Sequence, residues 1–193
     1  MLNDLLVLSK NPWIDGAIKV VIGLLLLCFL SPVKIEEGIN VPITLQSMLV
    51  ILVPLFFGWK IGGLAVLGYL VIGGMGYPVF ANGASGWNVF TGVSGGFLIG
   101  FLFAALLSGF LAEMKWGYKS LAAAGIMVLG QFIILLSGLF WMERVLSEDL
   151  NWMLQLEKYF PGLMIKAAIG MLLFVLIERL IRSANKSRQL GNS

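Results

Sequence analysis

The chain has 193 residues, of which 59% are apolar and 12% charged, and its mean hydropathy is +0.96. A soluble domain carries about 25% charged residues, so this composition excludes an ordinary water-soluble fold. The absence of histidine excludes a Ser–His–Asp triad, a Cys–His pair and a His-based zinc site, and the net charge of +3 is too small for nucleic-acid binding.

The apolar residues number about 114, and six membrane-crossing helices of about 20 residues would use about 120. The expectation is an all-α integral membrane protein with six transmembrane helices in one domain, residues 1–193. No cleavable signal peptide is expected, because Asp4 stands early and no small-residue cleavage site follows the first apolar run. Asn11 and Pro12 read as the N-cap and first residue of a span over 12–30. A charged loop over 31–43 leads to a second span, 44–57. Gly58, Trp59 and Lys60 read as a tight turn into a third span, 61–75. Residues 76–92 are too rich in Gly, Asn and Ser for a membrane helix. The fourth span is expected over 93–112, followed by a polar turn over 113–119, and the fifth over 120–141. A loop with six charges over 142–160 precedes the sixth span, 162–181, opened by Pro161 and Gly162, and a basic tail follows.

Positively charged loops stay on the cytoplasmic side. Of the 13 Lys and Arg residues, eight (Lys10, Lys60, Lys115, Lys119, Arg179, Arg182, Lys186, Arg188) fall on the side of the termini. Three (Lys34, Arg144, Lys158) fall on the other, and Lys19 and Lys166 lie within spans. Both termini are therefore expected in the cytoplasm. Lys19 reads as a lysine that snorkels toward the cytoplasmic surface.

Three features point to a small-molecule site. First, residues 61–112 carry no charge, yet their middle mixes Tyr77, Phe80, Asn82, Trp87, Asn88 and Phe90 with glycines. Irregular backbone at membrane depth belongs where it lines a cavity, and aromatic faces with a few amides suit a ligand pocket. The alternative is an interfacial loop anchored by Trp87 and Tyr77. Second, Lys166 stands five residues past Pro161, about 7 Å into the sixth span. No acidic residue occupies positions 162, 163, 169 or 170 beside it, so an anionic ligand could be its partner, with snorkelling the alternative. Third, Gln131 sits mid-span, where an amide must find a neighbouring helix or a ligand. The glycine pairs Gly62-Gly63, Gly73-Gly74 and Gly95-Gly96 permit close helix approach; none has the Lys-Ser/Thr of a nucleotide-binding loop. With no histidine and no acidic residue over 38–112, an integral-membrane enzyme is not expected, nor is a metal or a cofactor.

Four ordered segments carry a family resemblance: Val41-Pro42-Ile43-Thr44-Leu45-Gln46, Gly76-Tyr77-Pro78-Val79-Phe80-Ala81-Asn82-Gly83, Thr91-Gly92-Val93-Ser94-Gly95-Gly96-Phe97-Leu98-Ile99-Gly100-Phe101 and Pro161-Gly162-Leu163-Met164-Ile165-Lys166. Together they resemble the BioY family, the biotin-specific S components of energy-coupling factor (ECF) transporters. The likeness runs from about residue 41 to 170. It implies a six-helix S-component fold, capture of biotin from outside a bacterial plasma membrane, and partnership with one ECF membrane-coupling subunit and two ATPase subunits. The chain departs from the family pattern at Val93 and Ser94 (usually Pro and Thr), Phe97 (usually Tyr) and Leu163 (usually Asp). The family's first-helix Ala-x-x-x-Ala face is half met, by Ala17 with Val21.

Biotin has an apolar tail ending in a carboxylate and a ureido head that donates and accepts. Lys166 can neutralise the carboxylate. Gln46, Asn82, Asn88 and Gln131 offer amides suited to a ureido, Thr44 stands beside Gln46 in the second-span motif, and Tyr77, Phe80, Trp87 and Phe90 can cover the ring. The alternatives are an S component for another apolar carboxylate such as lipoate, or a non-transport membrane subunit.

Overall fold

A computed structural model describes residues 6–35, 43–114, 120–146 and 151–190. Residues 115–119 of the expected polar turn over 113–119 and the Val41-Pro42 part of the second-span motif lie outside the described residues. Helix α1 (Pro12–Leu30) starts as expected: Asn11 Oδ1 accepts from the Trp13 backbone N–H at 3.0 Å, with proline at the first turn. A two-residue antiparallel ladder follows, β1 (Lys34–Ile35) on β2 (Ile43–Thr44). Helix α2 (Leu45–Gly74) is assigned as one 30-residue element, but Gly58 breaks it with φ 83° and ψ 173°. A 3₁₀ turn (Ala81–Gly83) and the short helix α3 (Trp87–Thr91) fill the uncharged loop. Helices α4 (Gly95–Glu113), α5 (Ser120–Leu146) and α6 (Trp152–Leu190) complete the chain.

The break at Gly58 turns α2 into a hairpin with arms 45–57 and 59–74. Pro54 packs directly where a Gly62 side chain would stand. Eight residues of straight helix would separate these positions by about 12 Å. A positive φ is open to glycine at little cost, and the Trp59 backbone N–H that begins the second arm donates to Glu113 Oε1 at 3.2 Å. The two arms, α1, α4, α5 and α6 make six apolar segments, as the composition required. Exposed Trp13, Ile18, Leu25, Phe29, Phe103, Phe110, Leu172 and Leu180 stud the outer faces, a surface suited to lipid.

Lipid tails are as apolar as leucine, so helix association in a bilayer depends on close packing more than on expulsion of water. The small residues supply it here. Gly23 of α1 receives Val53, Gly63 of α2 receives Leu106 of α4, and Gly100 meets Ser137. Gly96 lies against Trp141 and Gly138 against Phe97, which runs α4 and α5 antiparallel at close range. Gly170 of α6 takes Met127 of α5.

Three expectations are corrected. The sixth span does not open at Pro161, because α6 begins at Trp152 and carries Pro161 inside it. The fifth helix runs to Leu146 and the sixth to Leu190, so the expected loop 142–160 and tail are largely helical. Charge marks where a helix leaves the bilayer, not where its hydrogen bonding stops. At 39 residues α6 is about 58 Å long, against a hydrocarbon core of about 30 Å. Proline costs one backbone hydrogen bond, and tertiary contacts hold the extra turns. Trp152 Nε1 donates to Glu143 Oε1 at 3.0 Å, and Trp152, Leu156 and Tyr159 pack on Leu135, Leu139 and Leu163. The third correction is Lys19. It is 1% exposed and pairs with Asp15 one turn back, instead of reaching water.

Candidate functional site

A cavity of about 250 Å³ lies between the first arm of α2, α4, α5 and α6. Segment 80–94 closes its remaining side through Phe80, Ala81, Ala84, Val89 and Ser94. A buried hydrogen-bond relay fixes that segment. Gln46 Nε2 donates to Tyr69 Oη at 2.7 Å, Tyr69 Oη donates to the Val79 carbonyl at 3.0 Å, and the Ala81 N–H donates to Gln46 Oε1 at 3.2 Å. Both arms of the hairpin therefore hold the loop. Phe80 adds an apolar latch: its ring fills the space that any side chain at Gly73 would need. The ring also stands edge-on to Tyr69 at 5.4 Å and Phe90 at 5.8 Å.

The helical walls are mainly apolar. Leu98 and Phe101 come from α4, Ile134 and Leu135 from α5, and Leu163 from α6. The rings of Phe97 and Tyr159, both in the lining, stand tilted to one another at 6.4 Å. Lys166 is the only charged residue among the described residues of the lining. Its Nζ donates to Ser47 Oγ at 3.1 Å, and among the described residues no carboxylate lies within ion-pair distance of it. An ammonium has three donors, so two remain for something in the cavity.

Of the nine residues proposed from sequence, Thr44, Gln46, Phe80, Gln131 and Lys166 line this cavity. Tyr77 and Trp87 are 59% and 67% exposed, outside the lining, and Asn82 and Asn88 are also exposed. Asn82 holds the 3₁₀ turn at φ 58°, a left-handed conformation that asparagine tolerates. Trp87 packs on Phe90 at 5.1 Å and buttresses the loop from outside. The amides of Gln46 are engaged with Tyr69 and Ala81, so their first task is to place the lid. Phe90 stands edge-on to Phe80 and outside the lining.

Sequence reasoning did not find Ser47, Tyr159 or the glycine-side wall residues Leu98 and Phe101 as lining. Tyr159 lay in a segment read as a loop, Leu98 and Phe101 are ordinary core types, and Ser47 is a buried hydroxyl. Phe97 and Leu163 stood out only as departures from a pattern, and both lie in the lining. Where the resemblance led to the expectation of an acid, Leu163 thus sets an apolar side chain at the cavity itself, 3% exposed and packed with Leu135 and Leu139.

The sequence profile of the BioY family matches residues 8–183. The chain belongs to the BioY family. Biotin transporter BioY2 of Lactococcus lactis subsp. cremoris (strain MG1363) is 33% identical over 182 residues, 93% of this chain and 97% of that protein. Biotin transporter BioY of Thermotoga maritima (strain ATCC 43589 / DSM 3109 / JCM 10099 / NBRC 100826 / MSB8) is 44% identical over 90 residues, 47% of this chain and 53% of that protein. A crystal structure of the S-component for biotin from an ECF-type ABC transporter superposes with a TM-score of 0.72 at 25% identity, covering 91% of this chain and 95% of that one. This BioY-family chain therefore has the all-α S-component fold, and its relatives are transporters by name.

Proposed function

We propose that this BioY-family protein captures biotin as the substrate-binding S component of an ECF transporter. The observation that carries this reading is Lys166, the one cation among the described residues that line a mainly apolar, lidded cavity of about 250 Å³. A biotin-sized molecule with one carboxylate matches that composition: the acid meets Lys166, and the apolar walls and Phe80 enclose the rest. The names of the relatives and of the superposing crystal structure support the same ligand. One-to-one binding is expected for the purified chain in detergent, without nucleotide. Calorimetry that records neither heat nor retained biotin at micromolar ligand would overturn the reading. Leu163 favours a second reading, capture of a more apolar carboxylate such as lipoate, since it sets an apolar side chain in the lining where the resemblance led to the expectation of an acid. Displacement of labelled biotin by equimolar lipoate would select it.

In this reading the energy for uptake comes from partners, one membrane-coupling subunit and two ATPases, and the chain itself performs no catalysis. It resides in the bacterial plasma membrane as a multi-pass protein with both termini cytoplasmic, which the eight-to-three division of Lys and Arg supports. Cysteine labelling in intact cells tests the orientation in a Cys28→Ala background. A cysteine introduced at Asn151 is expected to react with an impermeant reagent, and one at Ser187 to be protected. The reverse pattern would invert the topology.

A further inference from the structure

Lys166 is not the only polar group at its depth. Gln131 of α5 lines the same cavity, is 2% exposed, and its side-chain nitrogen has no hydrogen-bond partner among the described residues. A buried, unpaired amide costs about 1–3 kcal/mol, so its retention inside an apolar wall calls for a partner that the helices do not supply.

The packing of α5 on α6 fixes where that partner binds. Met127 fills the notch at Gly170, and Gly138 lies against Phe97, the ring that stands tilted to Tyr159. From the first contact to the second, α5 advances eleven residues and α6 retreats eleven, so the helices run antiparallel in a single register. Four residues from the Met127–Gly170 contact, slightly more than one turn and hence on the same face, stand Gln131 on one helix and Lys166 on the other. The two positions therefore stand at one level of the cavity wall. From there to Tyr159 is seven residues, about 10 Å, and at the intervening turn both helices present leucine, Leu135 and Leu163.

We infer that Gln131 is the second donor to the ligand's carboxylate, forming with Lys166 a two-donor seat in the cavity wall. This rests on the biotin reading above and adds the orientation of the ligand. The acid end goes to the Lys166–Gln131 level, and the ring lies toward Phe97 and Tyr159. A carboxylate offers two oxygens and about four acceptor sites, enough for the ammonium and one amide N–H together. The ureido cannot be what Gln131 reads if the acid is on Lys166, because the two ends of an extended ligand cannot occupy one level.

The test compares biotin with an analogue carrying a methyl group in place of the carboxylate, titrated into the intact purified chain and into Gln131→Leu and Gln131→Glu. Hydrogen bonds to charged groups contribute about 1.5–3 kcal/mol. Gln131→Leu should therefore weaken biotin at least about tenfold and the methyl analogue by under about threefold. Gln131→Glu keeps the shape but sets a second acid against the ligand's own. It should weaken biotin more than the leucine variant does and leave the analogue nearly unchanged, which also shows that the variant is folded. Equal losses for the two ligands would place Gln131 against another part of the molecule and overturn the inference, as would no loss for either. An unmodified chain that binds neither ligand would overturn the biotin reading itself, before any variant is considered.

Discussion

Lys166→Met is expected to weaken biotin about ten- to a hundredfold, and to weaken the primary amide of biotin far less. The ammonium sits among mainly apolar walls and donates to a hydroxyl, Ser47 Oγ, so the proposed reading assigns its countercharge to the ligand's acid. A charged hydrogen bond in such surroundings is worth about 1.5–3 kcal/mol. Neutralising the ligand and neutralising the lysine delete the same interaction, so the two changes should not add. Methionine is unbranched and adaptable, which makes unfolding of α6 an unattractive explanation for any loss. Equal weakening of acid and amide would falsify the pairing and return Lys166 to a role in packing against Ser47.

Gly73→Leu is expected to accelerate biotin release by about tenfold or more. The Phe80 ring occupies the volume of the missing side chain at Gly73, and Phe80 is both 2% exposed and part of the cavity lining. Overpacking typically costs about 1–3 kcal/mol. Here that cost falls on the position of the lid, since Phe80 lies between Val79 and Ala81, the two residues that the Gln46–Tyr69 relay holds. Gly68→Ala is the control. A methyl there would meet Leu24 at an ordinary 3.5 Å, so both stability and release should stay unchanged. Stopped-flow displacement of labelled biotin measures the rates, and gel filtration in detergent verifies folding. A Gly73 variant with an unaltered release rate would show that the lid does not retain the ligand.

The residues themselves determined the solvent class, because no water-soluble core can absorb this much apolar surface with so little charge. They also fixed the start of α1 through Asn11 and Pro12, the turn at Gly58, and the candidacy of Lys166. Each of these signals is local: a cap, a left-handed glycine or a charge within an apolar run carries its meaning within a few neighbours. The helix ends around 142–160 were not legible, because charge in that stretch records departure from the bilayer while helical bonding continues in water. The site divided along the same line. That residues 76–92 form an uncharged, irregular loop is written in the chain, but which of its side chains turn inward is not. The left-handed Asn82 and the Gly73 notch seat Phe80 in the cavity and leave Tyr77, Trp87 and Asn88 outside. Gln46 and Tyr69 stand 23 residues apart, and only the hairpin brings them within 2.7 Å. Gln131 and Lys166 likewise share a level only through the register that Met127 takes on Gly170. Sequence alone thus established the membrane, the helices and the residue types fit for a ligand. The tertiary structure decided which of them meet, because contact between distant positions depends on the packing of small residues against large ones across helices.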